Sequence, residues 1–492
     1  MLSKQDTLLE RYFQKFRERI IGIDAEFETP NGPKSLVYAD WIASGRLYAP
    51  IETIIQERVG PFVGNTHTES THTGKLMTQA YHKAHAVIKN HVNASSEDMI
   101  ITVGSGMTGA LCKFQRILGL KLPEQYSNRI NLTDEERPVV FVTHMEHHSN
   151  QTSWLESIAD VVVLEPAKDL MVDPDSLIRA LDKYRNRTLK IGSFTACSNV
   201  TGIITPYHQL AEIMHDHGGY CFVDFAASAP YVDINMHPEK EAEHLDAIFF
   251  SPHKFLGGPG SSGVLVFDKK LYKNRIPDHP GGGTVAWTNP WGGRSYFNDI
   301  EVREDGGTPG FLQAIRAALA VRLKEKMTVE KMMAREEELI SICFTEFTKI
   351  PEVHVLAEGV KHRLGVFSFY VENIHHNLMV KLLNDRYGIQ VRGGCSCAGT
   401  YGHLLLHVSR KQSRQITNLI DHGDLSQKPG WVRLSLHPTM TNSELYYILD
   451  AINLVVDNAE TWTRDYRYSS STNEFYHRSE KTDPELTEWF EP

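Results

Sequence analysis

The segment 251–267, SPHKFLGGPGSSGVLVF, contains a lysine at a position where burying its charge would cost free energy. Lys254 comes soon after the apolar run 247–250, and this run predicts a buried strand. A charge at the end of a buried strand costs free energy unless the protein uses it. A desolvated amine becomes a nucleophile that forms a Schiff base with an aldehyde. Ser251 and His253 are donors that suit a phosphate, so the segment fits a reactive lysine; it also fits a surface lysine at a strand end.

Asp224 ends a second apolar run, in the stretch CFVDFAASAP. A carboxylate at the end of a buried strand needs a cation nearby, unless it caps a helix. Pyridoxal phosphate needs such a carboxylate beside its protonated pyridine nitrogen, because the protonated ring acts as an electron sink. The fragment therefore fits either a cofactor partner or a capping residue.

Adjacent histidines, His147 and His148, occur in THMEHHSNQTSW. A histidine here could stack on a flat ring or carry protons. Zinc is disfavoured, because neighbouring residues on a regular element point apart and no matching Cys/His set lies nearby. We therefore expect no metal at this position.

Two glycine-rich loops also carry residues that could bind a ligand or react. In ITVGSGMTGAL, Ser105 and Gly106 lie between a strand and a helix, where backbone N–H groups at a helix N-terminus bind phosphate. In VRGGCSCAGTYGH, Cys395 and Cys397 follow Arg392, and an exposed thiol beside arginine is more reactive. The first loop also fits an ordinary turn. The second also fits inert loop thiols, or a redox or metal-binding C-x-C pair, although no second pair of ligands accompanies it.

The elements that must position these residues alternate between residues 97 and 270. Short apolar runs such as DMIITVG, PVVFVTH and GYCFVDF are separated by helical patterns, which predicts an α/β fold with a mostly parallel sheet. Chemistry in such sheets collects at the carboxyl ends of the strands. The reactive residues fall just past those ends: Ser105, His147, Asn199, Asp224 and Lys254.

Composition narrows the class of protein. The 492 residues are 41% hydrophobic, which suffices for a large core and two domains. The net charge of −10 comes without a basic stripe, so we expect no nucleic-acid partner. No apolar run reaches the roughly 18 residues of a membrane span, and the first residues lack the features of a signal peptide. Six cysteines do not suggest a disulfide scaffold, so a cytoplasmic location is expected.

Taken together, the motifs resemble the pyridoxal-phosphate-dependent class V aminotransferase family, and within it the cysteine desulfurase and selenocysteine lyase branch. The resemblance runs from about residue 36 to 455. It is carried, in chain order, by LVYADWIASG, GNTHTESTHTGKLMTQAYHKAH, VGSGMTGAL, MEHHSNQTSW, CSNVTGIITP, VDFAASAP, SPHKFLGGPGSSGVLV, GGTPG and VRGGCSCA. It implies a fold-type-I enzyme with pyridoxal 5'-phosphate as cofactor, and a homodimer with shared active sites.

The resemblance also implies roles for residues at the cofactor. Lys254 is then the Schiff-base lysine, His147 stacks on the ring and Asp224 pairs with the pyridinium. Asn199 lies beside the ring hydroxyl and the substrate. The phosphate is held by a group of donors that includes one from a second subunit: Ser251, His253, Ser105, Gly106 and Thr308.

On the substrate side, the resemblance makes Arg433 the group that binds the substrate carboxylate, with Arg392 nearby. A bidentate arginine suits that task. Cys397 falls on the cysteine that takes sulfur as a persulfide.

The chain departs from the family pattern at several places. Ala227 replaces a glutamine that contacts the ring hydroxyl, a contact that Ser228 could supply instead. Cys395 replaces a histidine, and Gly106 replaces a threonine in the phosphate turn. The segment 401–430 is longer than usual and could cap the site.

These expectations favour a cysteine desulfurase that converts L-cysteine to L-alanine and leaves sulfur on Cys397, for delivery to an acceptor protein. Cys395 remains open as a second reactive thiol. An aminotransferase, epimerase or C–S lyase acting on another amino acid without a catalytic cysteine is the alternative. A binding or regulatory protein that has lost catalysis is a third possibility, which the retained Lys254 and Asp224 disfavour.

We expect four regions along the chain. Residues 1–60 form an N-terminal segment that belongs to the small domain, and 61–315 form the large cofactor-binding domain. Residues 316–460, with long helices followed by a mixed α+β pattern, form the small domain, and 461–492 form a tail.

Overall fold

The largest element of the fold is a seven-stranded sheet in the middle of the chain. A computed structural model describes residues 7–479 and 487–491. The strands are β1 (Asp98–Val103), β2 (Val139–Val142), β3 (Asp160–Val163), β4 (Lys190–Thr195), β5 (Tyr220–Asp224), β6 (Ala247–Phe250) and β7 (Gly263–Asp268). Their order across the sheet is β1-β7-β6-β5-β4-β2-β3. Strand β7 is antiparallel to both neighbours and the other neighbouring pairs are parallel, so the expected mostly parallel α/β sheet is confirmed.

Helices cover this sheet and form much of the remaining chain. The longer ones are α1 (Leu8–Arg17), α2 (His72–His91), α3 (Met107–Ile117), α4 (His148–Leu155), α5 (Pro174–Lys183), α6 (Tyr207–Asp216), α7 (Phe311–Met327), α8 (Val329–Phe347), α9 (His376–Tyr387), α10 (Gly399–Leu405), α11 (Arg410–Asp421) and α12 (Asn442–Trp462). Local sequence sets their ends. The Thr441 hydroxyl accepts the Glu444 N–H at 3.0 Å and so caps the start of α12. Gly388, with φ of 71°, ends α9 in the left-handed conformation, where a side chain is disfavoured.

The central strands of the large sheet are buried on both faces, which explains their continuous apolar runs. All residues of β2 and β6 are buried. Alternate side chains enter two different hydrophobic clusters, one on each face: Val223 packs in one cluster and Phe222 in the other. Because both faces are dry, the strand ends are the places where polar side chains of the sheet can meet a ligand.

A smaller antiparallel sheet lies in the second half of the chain. Its strands are β8 (Val353–Val355), β9 (Val366–Val371), β10 (Arg392–Gly394) and β11 (Trp431–Ser435), in the order β8-β9-β11-β10. Phe13 and Phe16 of α1 share one hydrophobic cluster with β9, β11 and α12. The proposed domain boundaries at 60, 315 and 460 remain predictions.

The C-terminal segment and the long insertion both contain regular structure. Strands Tyr466–Ser469 and Glu474–His477 form a hairpin, and Phe475 packs on His375 at 5.3 Å between ring centroids. Residues 480–486 and 492 of the expected tail lie outside the described residues. The insertion forms α10 and the exposed helix α11. None of the described helices combines the length and the apolar character that crossing a membrane requires.

One buried arginine ties the N-terminal helix to the C-terminal part of the chain. Arg335 on α8 is fully buried and lies 2.7 Å from Glu338 and 3.3 Å from Glu10 of α1. It also donates to the Met440 carbonyl at 2.8 Å. Arg335→Met removes the ion pairs of a fully buried guanidinium group with Glu338 and Glu10, so it should lower the free energy of unfolding by about 3–5 kcal/mol.

Urea denaturation followed by circular dichroism measures this change. Arg322→Met is the matched control, because Arg322 is exposed and its pairing with Glu325 is worth about 0.5 kcal/mol or less. Equal shifts for both variants would contradict the structural role of Arg335.

Candidate active site

A cavity of about 470 Å3 opens where β4, β5 and β6 end. The residues predicted for the site that line it are Ser105, Gly106, His147, Asn199, Asp224, Ser251, His253, Lys254, Arg392, Cys397 and Arg433. Their sequence positions span almost 330 residues, from Ser105 to Arg433. The structure therefore brings together in one cavity the residues that strand-end positions and the family resemblance grouped in the sequence, while their roles remain predictions.

Lys254 and Asp224 are the opposing charges of this cavity. Lys254 ends the short turn Pro252–Lys254 that follows β6, and Asp224 ends the adjacent parallel strand β5. Burial lowers the pKa of Lys254 to about 8, against the effect of the Asp224 carboxylate, which favours the charged amine. Burial also raises the pKa of Asp224 to about 6, although the Ala226 N–H donates to it at 2.8 Å. A lysine in this state is partly neutral near pH 8, as a nucleophilic amine requires.

The turn predicted to bind phosphate brings backbone and side-chain donors together at the start of α3. Gly106 is the N-cap of α3, and the Met107 N–H donates to Ser251 Oγ at 2.9 Å. A Cβ atom at Gly106 would lie 3.1 Å from Ser251 Oγ and 3.6 Å from the His253 ring. A glycine here therefore keeps the turn close to both side chains. The N–H groups of the helix start, together with Ser251 and His253, form a donor set that fits a phosphate.

His147 offers a neutral, oriented ring to the cavity. It is the N-cap of α4, and its Nδ1 accepts the Ser149 N–H at 3.1 Å. This bond places the ring proton on Nε2 and fixes the plane of the imidazole. Burial and the nearby Lys254 lower the pKa of His147 to about 4, so the ring is uncharged at neutral pH. An uncharged flat ring suits stacking on an aromatic cofactor.

Asn199 presents one unpaired hydrogen-bond acceptor among the described residues. Its amide nitrogen donates to the Ser396 carbonyl at 2.7 Å, which fixes the orientation of the side chain. Its Oδ1 is buried and has no hydrogen-bond partner among the described residues. A buried acceptor without a donor costs free energy, so a ligand hydroxyl here would satisfy it. Ala227 lines the same cavity but Ser228 does not, so the cavity does not present the Ser228 hydroxyl as a substitute for the family's glutamine.

An aspartate that the sequence did not single out joins the two arginines of the site. Arg433 donates to Asp40 Oδ1 at 2.9 Å, and Arg392 donates to Asp40 Oδ2 at 2.9 Å. Arg433 is almost fully buried, and its Nε has no hydrogen-bond partner among the described residues. Asp40 therefore holds both guanidinium groups at the cavity wall and lowers the cost of burying Arg433. Its position in the motif LVYADWIASG was visible, but its role needed the fold.

Glu146 is a second residue that sequence reasoning missed. It follows β2, is fully buried, and burial raises its pKa to about 8. Its carboxyl group accepts from the Thr143 hydroxyl at 2.7 Å, the Thr195 N–H at 2.9 Å and the Asn150 amide at 2.7 Å. It thus joins the ends of β2 and β4 directly behind the cavity. The Glu in the motif MEHHSN was the signal that could have revealed it.

Cys397 lies on a strained loop at the cavity. Its side chain is exposed, and both Ser396 and Cys397 have positive φ, 51° and 56°. Such backbone is unfavourable outside glycine and persists where surrounding contacts enforce it. The Cys397 carbonyl accepts the His148 N–H at 2.7 Å, and the Trp431 indole donates to Ser396 Oγ at 3.1 Å. These contacts hold the thiol of Cys397 in one region of the cavity mouth.

Three further groups differ from the residues above in their position or protonation. Cys395 is half-buried and does not line the cavity. Cys197 does line it, but burial raises the pKa of its thiol, so it is not a thiolate. Thr308 lines a neighbouring cavity with Gly104, and its predicted contact through a second subunit stays a prediction.

The reactivity of Lys254 in the cofactor-free protein should follow its lowered pKa. Acylation of Lys254 by acetic anhydride should rise with pH around a midpoint near 8, because the neutral amine is the reacting form. Asp224→Asn should move the midpoint lower, since it removes the carboxylate that favours the charged amine. Peptide mass spectrometry at several pH values measures both midpoints. A midpoint near 10.4, the value for a free lysine, would contradict the burial of this amine.

Comparison with known proteins places this geometry in a family. The family model Aminotransferase class-V matches residues 37–448. A probable cysteine desulfurase of Halobacterium salinarum is 29% identical over 74% of this chain and 83% of its own length. A probable cysteine desulfurase of Halalkalibacterium halodurans is 27% identical over 74% of this chain and 84% of its own.

Solved structures agree on the fold. The apo cysteine desulfurase of Thermococcus onnurineus aligns with a TM-score of 0.71 at 21% identity, over 93% of this chain and 100% of that one. A cysteine desulfurase of Escherichia coli aligns with a TM-score of 0.68 at 21% identity, over 90% and 98% of the two chains. Because the family model covers most of the sequence and the fold is that of fold-type-I enzymes, the chain belongs to the class V aminotransferase family of pyridoxal-phosphate-dependent enzymes.

Proposed function

We propose that this enzyme is a cysteine desulfurase, which removes sulfur from L-cysteine and holds it as a persulfide on Cys397. The observation that carries the proposal is the exposed thiol of Cys397 on the same cavity as Lys254 and Arg433. The names of its relatives support it. An aminotransferase that uses no cysteine has no need of a thiol held at this place.

The chain's residues fit pyridoxal phosphate. Lys254 would hold it through a Schiff base, and Asp224 would pair with its ring nitrogen. The start of α3, with Ser251 and His253, would bind its phosphate, His147 would stack on its ring and the free Oδ1 of Asn199 would accept its hydroxyl. The bound cofactor supplies an electron sink for bonds at the substrate α-carbon. Lys254 would also carry protons to and from the substrate, which its lowered pKa permits.

Arg433 orients the substrate. Its guanidinium group faces the cavity, and Asp40 on one side fixes its plane. A substrate carboxylate on the other side would form a bidentate pair with it. Arg392, held by the same aspartate, adds positive charge at the cavity wall.

The transfer step needs no external oxidant or reductant. The thiolate of Cys397 attacks the substrate sulfur, so that a new S–S bond forms and the bond from that sulfur to the substrate β-carbon breaks. The electron pair of the broken bond stays on the substrate carbon, which takes up a proton and becomes the methyl group of alanine. The sulfur leaves the active site as a persulfide on Cys397, and we propose a sulfur-acceptor protein as the next partner. This step needs a free thiol, and Cys397 is free. Because the reducing cytoplasm keeps thiols free, we propose a cytoplasmic location.

Replacing Cys397 tests the proposal. Purified protein loaded with pyridoxal phosphate should form alanine and protein-bound persulfide from L-cysteine. Cys397→Ala should lower both by at least a hundredfold, since it removes the sulfur acceptor, while the cofactor remains bound. Cys112→Ala, a half-buried thiol outside the cavity, is the matched control and should keep activity.

Cys395→Ala separates the two thiols of the loop. The geometry predicts that this variant retains alanine formation, since Cys395 does not line the cavity. Bound cofactor without alanine in the unmodified protein would overturn the assignment and favour transamination or lyase chemistry on another amino acid.

We also propose that the enzyme is a homodimer, with Thr308 of each subunit near the site of the other. An exposed hairpin, Val285–Thr288 paired with Arg294–Tyr296, supports this. Trp287 is 66% exposed and Trp291 is 88% exposed, which is costly for tryptophan unless another surface covers it. The backbone of Gly307 bonds to that of Gly282 at 2.8 Å, so the segment that carries Thr308 is tied to the segment leading into this hairpin.

Sedimentation tests the dimer. The subunit of 55.8 kDa should sediment as a dimer of about 112 kDa, twice that mass. Trp287→Ser combined with Trp291→Ser should shift the equilibrium toward monomer by at least tenfold, because it removes the apolar contact. Trp489→Ser, at an exposed tryptophan elsewhere, is the control and should leave the dimer intact. A monomer in the unmodified protein would contradict the proposal.

A further inference from the structure

Two histidines and a buried aspartate meet at the amino ends of β5 and β6, on the sheet edge opposite to the active site. His215 lies in the last turn of α6, His244 follows a short turn and Asp246 directly precedes β6. His215 Nε2 lies 2.9 Å from Asp246 Oδ2, and His244 Nε2 lies 3.5 Å from Asp246 Oδ1. Ligand atoms of all three residues lie within 4.8 Å of one another. We refer to these three residues as the His-Asp cluster.

Hydrogen bonds fix which ring nitrogen of each histidine faces the aspartate. His215 Nδ1 lies 2.7 Å from the Ala242 carbonyl oxygen, and His244 Nδ1 lies 2.8 Å from the Glu241 carbonyl oxygen. A carbonyl oxygen accepts and does not donate, so both Nδ1 atoms carry a proton. Both Nε2 atoms are left to meet Asp246. Metal-binding histidines in proteins have this arrangement, in which the second nitrogen donates to a carbonyl and sets the tautomer.

Asp246 contributes a buried oxygen that protein donors do not satisfy well. Its side chain is fully buried, and Oδ2 accepts the Cys221 N–H at 2.8 Å. Among the described residues, no donor makes a hydrogen bond of good geometry to Oδ1. Lys270 Nζ lies 2.7 Å from this oxygen as an ion pair. The cluster thus presents a buried carboxylate and two ring nitrogens to a single cation position.

We propose that the His-Asp cluster binds a divalent transition-metal ion, with zinc as the best fit, through Nε2 of His215, Nε2 of His244 and a carboxylate oxygen of Asp246. Zinc takes these three ligand types with bonds of about 2.0–2.2 Å. Tetrahedral geometry then separates the ligand atoms by about 3.4 Å. The observed separations lie on either side of this value, 2.9 Å from His215 Nε2 to Oδ2 of Asp246 and 3.5 Å from His244 Nε2 to the other oxygen, Oδ1.

The rings need a small adjustment to close on one ion. They are stacked, with centroids 4.0 Å apart and an angle of 8° between their planes, and the Nε2 atom of each ring lies next to the Asp246 carboxylate. A tilt of each ring about its Nδ1 hydrogen bond makes them converge. Water completes the fourth position, because His215 and His244 are only half-buried.

Lys270 competes with the ion for Asp246. Its ammonium group supplies the positive charge that the buried carboxylate requires, and it also lies 3.2 Å from Asp268 Oδ2. The side chain is 43% exposed, so it is free to move to Asp268 when an ion enters. The bound ion would join α6, the turn before His244 and the start of β6. Its effect is therefore on stability, and the proposal does not depend on the proposed desulfurase activity.

Metal titration of the full-length, cofactor-loaded protein tests the proposal. Zinc chloride is followed by calorimetry, and cobalt chloride by visible absorption, in a Cys397→Ala background that removes the exposed thiol. We expect one ion per chain whose cobalt spectrum has nitrogen and oxygen ligands and no thiolate band. His244→Gln should weaken binding at least tenfold. His208→Gln is the matched control, because His208 lies on the same helix and bonds to the Glu243 carbonyl at 2.9 Å, outside the cluster.

Lys270→Ala keeps the test decisive if a histidine variant folds poorly. It removes the competing cation, so it should tighten binding at least threefold, and circular dichroism checks the fold of each variant. Binding that is the same in His244→Gln and His208→Gln, a thiolate band, or no binding at all would overturn the proposal. In that last case the cluster is an ion pair held by protons and Lys270.

Discussion

The site depends on two opposite charges placed in an otherwise apolar layer. Asp224 ends strand β5, and Lys254 ends the short turn that follows the adjacent parallel strand β6; both strands are buried on both faces. Each charge favours the charged form of the other, while burial moves their pKa values toward each other, to about 8 and about 6. A lysine that loses its proton easily and a carboxylate that attracts a cation are what a pyridoxal cofactor needs at its two ends. The sheet therefore fixes both the position and the reactivity of the site.

The remaining groups extend this arrangement around the cavity. Glu146 holds the ends of β2 and β4 together behind the site, and Asp40 fixes the two arginines at its wall. Arg433 comes from β11 of the small sheet, and Asp40 forms a backbone bridge to the same strand. The proposed binding of a substrate at Arg433 would thus involve the interface between the two sheets. The thiol of Cys397 reaches the same cavity from a loop whose backbone is held in an unfavourable conformation.

Much of this could be predicted from sequence because the signals are local. Apolar runs marked the parallel strands, and polar residues directly after them marked the site. Asp40 and Glu146 were missed because their importance lies in partners far away in sequence, such as Arg433 and Thr195. The antiparallel direction of β7 follows from pairing with β1 and β6, which no local pattern encodes. The hairpin at 466–477 lies in the segment expected to be a tail, because its contacts with the start of α9 come from scattered aromatic residues such as Phe475. The His-Asp cluster was also hidden, since its members lie on a helix end and a loop 29 residues apart.

The central claim is that Lys254 carries the cofactor. Its most direct test is to load the protein with pyridoxal phosphate, reduce it with borohydride and map the modified peptide by mass spectrometry. We expect one phosphopyridoxyl group per chain, on Lys254, and none on that peptide in Lys254→Ala. A modification on another lysine, or no modification, would contradict the proposed role of Lys254.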